Sequence, residues 1–183
     1  MLASAFFLIA MVAFVAGQSD CIVSYLQSHN FKGLVELPDT DAYNASISID
    51  NKRVIVHPEI VVVPSIEADV STAVLAAQHC QATFSVRSGG HSAAGYCLTS
   101  GGVTLDMSKG MRRVELLPEE EHFGRVLVES GANWSDIYGV AKDTQFVPIG
   151  GGCPSVAAGG FLLGGGWSFL SRSYGLGCDN IES

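Results

Sequence analysis

Two runs of β-branched residues constrain the fold of this chain more than any other feature: Arg53-Val54-Ile55-Val56 and Ile60-Val61-Val62-Val63, separated by His57-Pro58-Glu59. Both are continuous rather than alternating, which suits strands buried on both faces of a sheet. Pro64-Ser65 stops the second run. Ser65 is a good helix N-cap, and Glu67 and Asp69 favour the positive end of the helix that follows. Ile66, Val70, Ala73, Val74, Ala77 and Cys80 form the apolar stripe of that helix. Thr83 to Val86 then reads as a strand, so residues 53–87 spell strand, strand, helix, strand, with the helix as a crossover. A chain of 183 residues is long enough for one domain with a real core.

The strand that closes this unit runs into Arg87-Ser88-Gly89-Gly90-His91-Ser92. Successive backbone N–H groups in a glycine-rich turn make an anion-binding concavity. Arg87 adds a charge at its rim, and Ser88 and Ser92 add hydroxyls. The loop is neither a Walker sequence nor a dinucleotide fingerprint, since it lacks Gly-Lys-Ser/Thr and no Gly-x-Gly-x-x-Gly opens a helix here. A plain turn carrying an exposed histidine fits the same residues.

Beyond the loop, Gly102 to Asp106, Arg112 to Leu116 and Arg125 to Glu129 read as strands. Asn133 caps a helix with the stripe Trp134, Ile137, Tyr138 and Ala141 and an acid, Asp136, at its third position. Ahead of residue 53, Asp20 to Phe31 reads as a short helix with Ile22, Tyr25, Leu26 and His29 at helical spacing, and 32–52 reads as polar and turn-rich. Asn44-Ala45-Ser46 is a glycosylation sequon in an exposed loop. Asn133-Trp134-Ser135 is a second, but a capping side chain is poorly placed to carry a glycan, which favours Asn44.

A second glycine cluster, Gly150-Gly151-Gly152-Cys153-Pro154-Ser155 and on through Gly159-Gly160 to Gly164-Gly165-Gly166, presents a cysteine on an open backbone. Cysteine is a strong nucleophile, although a disulfide partner is the ordinary role of a secreted cysteine. Secretion is the reading of Leu2 to Gly17, an apolar run short of the about 20 residues that span a bilayer. Val15 and Gly17 suit a signal-peptidase site before Gln18, although no basic residue precedes the run, and an uncleaved anchor is the alternative. Five cysteines follow, Cys21, Cys80, Cys97, Cys153 and Cys178, so at least one is unpaired, intermolecular or used for chemistry. The net charge of −8 argues against nucleic acid. No His and Cys pairs stand at the spacings of a zinc site, and no metal is expected.

Together, Arg87 to Ser92, Gly152-Cys153-Pro154-Ser155-Val156, Tyr174-Gly175-Leu176 and Asp179-Asn180 resemble the berberine-bridge-enzyme-like FAD-linked oxidases of the vanillyl-alcohol-oxidase superfamily. The resemblance covers residues 20–183. It implies an α+β fold, a PCMH-type FAD-binding domain of two small α/β subdomains over 53–183, after a signal peptide (1–17) and a lead-in (18–52). It implies bicovalent FAD, on a ring nitrogen of His91 and on the sulfur of Cys153. The loop Arg87, Ser88, Gly89, Gly90, His91, Ser92 would hold the pyrophosphate, and Gly159, Gly160 and Gly164 would pack along the cofactor. Val156 matches the position that gates oxygen, where valine looks like an oxidase. Cys21 and Cys80 match the family's N-terminal disulfide, and the pairing of Cys97 and Cys178 stays open. Phe161 departs from a histidine common at its position, and Trp167-Ser168 from Tyr-Gly.

The implied activity is hydride transfer from a small-molecule or oligosaccharide alcohol to FAD, with molecular oxygen as acceptor and hydrogen peroxide as product, in a secreted glycoprotein free of the membrane after signal cleavage. A dehydrogenase of the same family and a secreted, non-catalytic remnant of the fold are the alternatives. The family's substrate domain and catalytic base would lie beyond residue 183, so the chain reads as a C-terminally truncated piece that is inactive alone.

Overall fold

The computed structural model describes residues 17–118 and 124–182. The apolar run 2–17 lies, but for Gly17, outside them. Helix α1 covers 17–28. Strand β1 (Leu34–Glu36) and helix α2 (Asp41–Ile47) follow, then β2 (Ile60–Val63), α3 (Glu67–His79), β3 (Phe84–Arg87), β4 (Val103–Asp106) and a single turn, α4 (Met107–Gly110). Strands β1 to β4 form one sheet in the order β1-β2-β4-β3. β1 runs antiparallel to β2, while β4 lies parallel between β2 and β3. The chain belongs to the α+β class that the sequence indicates.

Every residue of β2 and of β4 is buried, as continuous β-branched strands between two covered faces should be. On one face α1 and α3 bring Ile22, Leu26, Ala73, Ala76 and Ala77 against Ile60, Val62, Val103 and Leu105. On the other, α2 brings Tyr43 and Ile47 against Val61 and Val63. A disulfide joins Cys21 on α1 to Cys80 at the end of α3. The stripe of α3 is rotated from the expected one: Ile66 and Val74 are exposed, and Ala76 is buried instead. Its N-cap is Ile66 rather than Ser65. The capping work passes to buried Asp69, whose carboxylate accepts the N–H groups of Ser65 at 2.9 Å and Lys32 at 2.8 Å.

Two expectations fail here. Residues 53–56 form no strand: Ile55 is exposed, and the segment runs as turn and coil. Both edges of β2 are already taken, by β1 and β4, and 53–56 adds to neither outer edge of the sheet; Val54 lies instead beside Gly95. Residues 32–52 are not a polar lead-in, since they contribute β1 and α2 to the sheet's own core. Asn44 therefore sits on an exposed helical turn rather than in a loop, and the Ser46 hydroxyl of its sequon is buried, donating to Glu36 Oε2 at 2.7 Å.

The second unit is a hairpin, β5 (Val114–Leu116) with β6 (Val126–Val128), packed on α5 (Trp134–Ala141) and α6 (Ala158–Leu163). Trp134, Ile137 and Ala158 form its core, with Val114, Val128, Val156 and Phe161 around them. α5 opens with the Asn133–Asp136 capping box. Helix α7 (Ser171–Tyr174) and a 3-10 turn (Gly177–Asn180) complete the described chain. No helix among the described residues is long and apolar enough to cross a membrane.

Candidate functional site

The site lies where two loops meet, one from each unit. The first leaves β3. Arg87 stands opposite Asp106 in the β3–β4 register, and its Nη1 donates to Asp106 Oδ1 at 3.0 Å and to Ser108 Oγ at 2.7 Å. Asp106 is fully buried. The cation expected at the rim of an anion cradle is thus committed inside the fold, because an unpaired carboxylate at the centre of the sheet would be far more costly. Gly90, at φ +71°, lets the loop turn over this guanidinium, and a Cβ there would meet Arg87 Nη2 at 3.1 Å.

The loop is clamped from outside by 50–54. Gly90 O accepts from Asp50 N at 2.9 Å, and Asn51 Nδ2 donates to Ala93 O at 2.8 Å. Val54 fills the space beside Gly95, so the run expected as a strand serves as a buttress. Ser92 Oγ accepts the N–H of Tyr96 at 3.0 Å and closes the following turn.

The second loop is zipped to the start of α5. Ala158 N donates to Ala132 O, Trp134 N to Val156 O and Ser135 N to Pro154 O, at 2.8 to 3.0 Å. This fixes Cys153 to Gly159 as an extended arm, which lies directly on the first loop. A Cβ on Gly89 would fall 2.7 Å from Ala157 N, and one on Gly159 would fall 2.7 Å from Ser88 Oγ. Only glycines allow the two loops to approach this closely. Across the seam, His91 Nε2 lies 3.1 Å from Ser155 Oγ, and Cys153 Sγ lies 3.5 Å from the same oxygen. Asp50 Oδ2 is 3.8 Å from His91 Nδ1. The Cys153 thiol is held below the usual range, first by a hydrogen bond from the Ser155 hydroxyl and then by the Ser155 N–H.

The structure thus brings together His91, Cys153, Gly89 and Gly159, whose segments lie about sixty residues apart in sequence. Gly160 is open to solvent, and Gly164 is the C-cap of α6, where a Cβ would meet Gly160 O at 3.4 Å and Phe161 O at 3.6 Å. Val156 packs into the Trp134 cluster. Cys97 and Cys178 are both free thiols. Ser155 and Asp50 are functional candidates that residue patterns did not single out. Ser155 stood in plain view inside the Cys153 motif, but its meaning depends on a contact with a distant loop. Beyond Gly159 lies an apolar cavity of about 480 Å³ lined by Val128, Ser130, Ala158, Leu162 and Cys178, whose lining does not include His91 or Cys153.

Residues 58–183 match the family model described as FAD binding domain. The chain belongs to the FAD-binding domain family. Within it, the chain groups with the berberine-bridge-enzyme-like FAD-linked oxidoreductases. It is 32% identical over 173 residues to the reticuline oxidase of Papaver somniferum, covering 89% of this chain and 31% of the relative. It is 31% identical over 172 residues to the FAD-dependent monooxygenase drtC of Aspergillus calidoustus, covering 90% and 32%. Among solved structures, BBE-like 1 of Physcomitrella patens superposes with a TM-score of 0.76 at 28% identity, over 90% of this chain and 34% of that one. Xylooligosaccharide oxidase from Myceliophthora thermophila superposes with a TM-score of 0.77 at 26% identity, over 87% and 33%. The chain spans about a third of the length of the proteins it matches.

The site fits FAD by its own geometry. The N–H groups of Gly89, Gly90, His91 and Ser92 donate to no protein acceptor among the described residues, so they are available as donors to a phosphate. Two nucleophilic side chains, one imidazole and one thiol, flank that cradle.

Proposed function

We propose that this chain forms the FAD-binding portion of a secreted flavin-dependent oxidase that holds its cofactor through two covalent bonds, to His91 and to Cys153. The observation that carries this reading is the single hydroxyl, Ser155 Oγ, lying 3.1 Å from His91 Nε2 and 3.5 Å from Cys153 Sγ. Two nucleophiles from separate loops share one small volume beside an anion cradle. A coincidence of core packing does not account for that, since Cys153 and Ser155 are exposed.

FAD, when bound, supplies hydride acceptance and, in an oxidase, the reduction of oxygen to hydrogen peroxide. The chain's contribution is binding and orientation. The glycine loop 88–92 offers its backbone donors to phosphate. The Arg87–Asp106 pair fixes the base of that loop. The arm 153–159, zipped to α5, sets the position of the thiol. Two tethers hold the ring system without enclosing it, which leaves room for a carbohydrate-like alcohol. The xylooligosaccharide oxidase among the structural relatives supports that substrate class. Val156 beside the attachment cysteine suits oxygen as the acceptor. Extracellular location, signal cleavage before Gln18 and a glycan on exposed Asn44 complete the reading. The Cys21–Cys80 disulfide is in keeping with an oxidising compartment.

The test is retention of flavin fluorescence after acid precipitation of the chain, followed by mass spectrometry of its peptides. Flavin mass on the peptides of His91 and Cys153, abolished by the double variant His91→Ala/Cys153→Ala, is expected. Unchanged attachment in that variant overturns the assignment.

A further inference from the structure

We propose that Ser155 is a positioning residue that joins Cys153 and His91 into one proton-sharing unit, its hydroxyl donating to the Cys153 sulfur and accepting the Nε2–H of His91. The inference rests on the reading of these two residues as the attachment pair, and it concerns their state before any cofactor is attached.

A serine hydroxyl has one proton to give and two lone pairs. Ser155 Oγ has two neighbours of different need, a sulfur at 3.5 Å and a ring nitrogen at 3.1 Å. If its proton goes to sulfur, the imidazole nitrogen facing it must be the donor. The histidine then carries its hydrogen on Nε2 and keeps a lone pair on Nδ1. If the proton goes to Nε2 instead, Nδ1 carries the hydrogen and the sulfur loses its hydroxyl donor. Once Cys153 has lost its proton its sulfur can only accept, and the first arrangement then gives that charge a donor, where a hydrogen bond is stronger. The backbone N–H of Ser155 also favours the charged sulfur, in the same direction as the hydroxyl. One hydroxyl therefore does two things together: it favours the thiolate of Cys153 and frees Nδ1 of His91.

The charged side chain that faces both groups is Asp50, from the segment clamping the loop. Its carboxylate opposes the thiolate. At 3.8 Å from Nδ1 it is beyond hydrogen-bond distance, and its charge favours a hydrogen on Nδ1, so the Ser155 contact to Nε2 has to outweigh it.

The experiment uses the full chain prepared from flavin-limited cells, with iodoacetamide as the probe. Alkylation rates of the Cys153 peptide are followed by mass spectrometry between about pH 5 and pH 9. The Cys97 and Cys178 peptides of the same digest are internal controls. Ser155→Ala is expected to move the Cys153 profile to higher pH and to slow alkylation near neutrality about tenfold. Ser155→Thr, which keeps the hydroxyl, is expected to restore it, and the controls are expected not to move. His91→Ala is expected to shift the Cys153 profile when Ser155 is present and to have no further effect in the Ser155→Ala background. An unchanged profile in Ser155→Ala, failure of the threonine to restore it, or additive effects of the two variants overturns the inference. Peptide masses from flavin-replete cells separate this from the attachment reading. Flavin on both residues with an indifferent Ser155→Ala sinks the relay alone. The expected thiol shifts with no flavin on either residue sink the attachment reading alone.

Discussion

Arg87 and Asp106 show how much a single register position decides. Directly opposite each other on parallel strands, they form an ion pair whose carboxylate is fully buried. Removing one partner of such a pair leaves an uncompensated charge. Asp106→Asn is expected to lower the free energy of unfolding in urea by about 3 kcal/mol, and to loosen the loop that Arg87 supports. Gly89 matters for the opposite reason, because it has nothing to contribute but space. Gly89→Ala drives a methyl group to within 2.7 Å of Ala157 N. It is expected to cost about 1–3 kcal/mol in stability and to reduce the fraction of chain carrying acid-stable flavin. At this scale the distinctive glycine contexts of His91 and Cys153 were legible, and the structure brings both side chains to one hydroxyl. The role of Arg87 was not: a cation beside a glycine loop reads as a ligand donor until its partner across the sheet is known.

Among the elements, α5 was the most readable. Its cap, its acidic third residue and its buried stripe are all local features, and the structure shows each of them. Burial alone would raise the Asp136 carboxyl. The Arg112 guanidinium, 2.5 Å away, and the Asn133 N–H outweigh it and hold the group below its usual range. A carboxyl lowered in the folded state contributes stability at pH values above its unfolded pKa and loses it as pH falls through the lowered value. Asp136→Ala is therefore expected to cost about 1 kcal/mol at neutral pH. The difference from wild type should shrink in denaturation curves taken below about pH 4. Residues 53–56 behave differently. Their strand propensity is as strong as that of 60–63, yet they form no strand. Propensity states what a segment can do; the edges of β2 went to β1 and β4, and the tertiary fold holds Val54 beside Gly95 instead of on an outer edge of the sheet. β1 itself went unread because three residues in a polar context carry little pattern.

The whole molecule is held together at its N-terminal end by the Cys21–Cys80 disulfide, which closes a loop of 59 residues. Chain entropy assigns such a crosslink about 4 kcal/mol. Reduction by dithiothreitol is expected to lower the urea midpoint markedly, with the β5–β6 unit, which the disulfide does not touch, responding less in hydrogen exchange. The same scale governs the site. The α+β class was implied by the family resemblance of the motifs. Local sequence by itself determined the crossover unit around β2 and α3, the capped helix α5 and the two glycine-flanked nucleophiles. Each of these follows from local propensity, hydrophobic period or cap chemistry within about a dozen residues. Only the tertiary structure decided that Arg87 serves the fold, that 53–56 buttresses a loop, and that Ser155 stands between His91 and Cys153. Those are relations between segments about twenty to sixty residues apart, and no local pattern can specify a distance between two loops that meet only when two separate cores have packed.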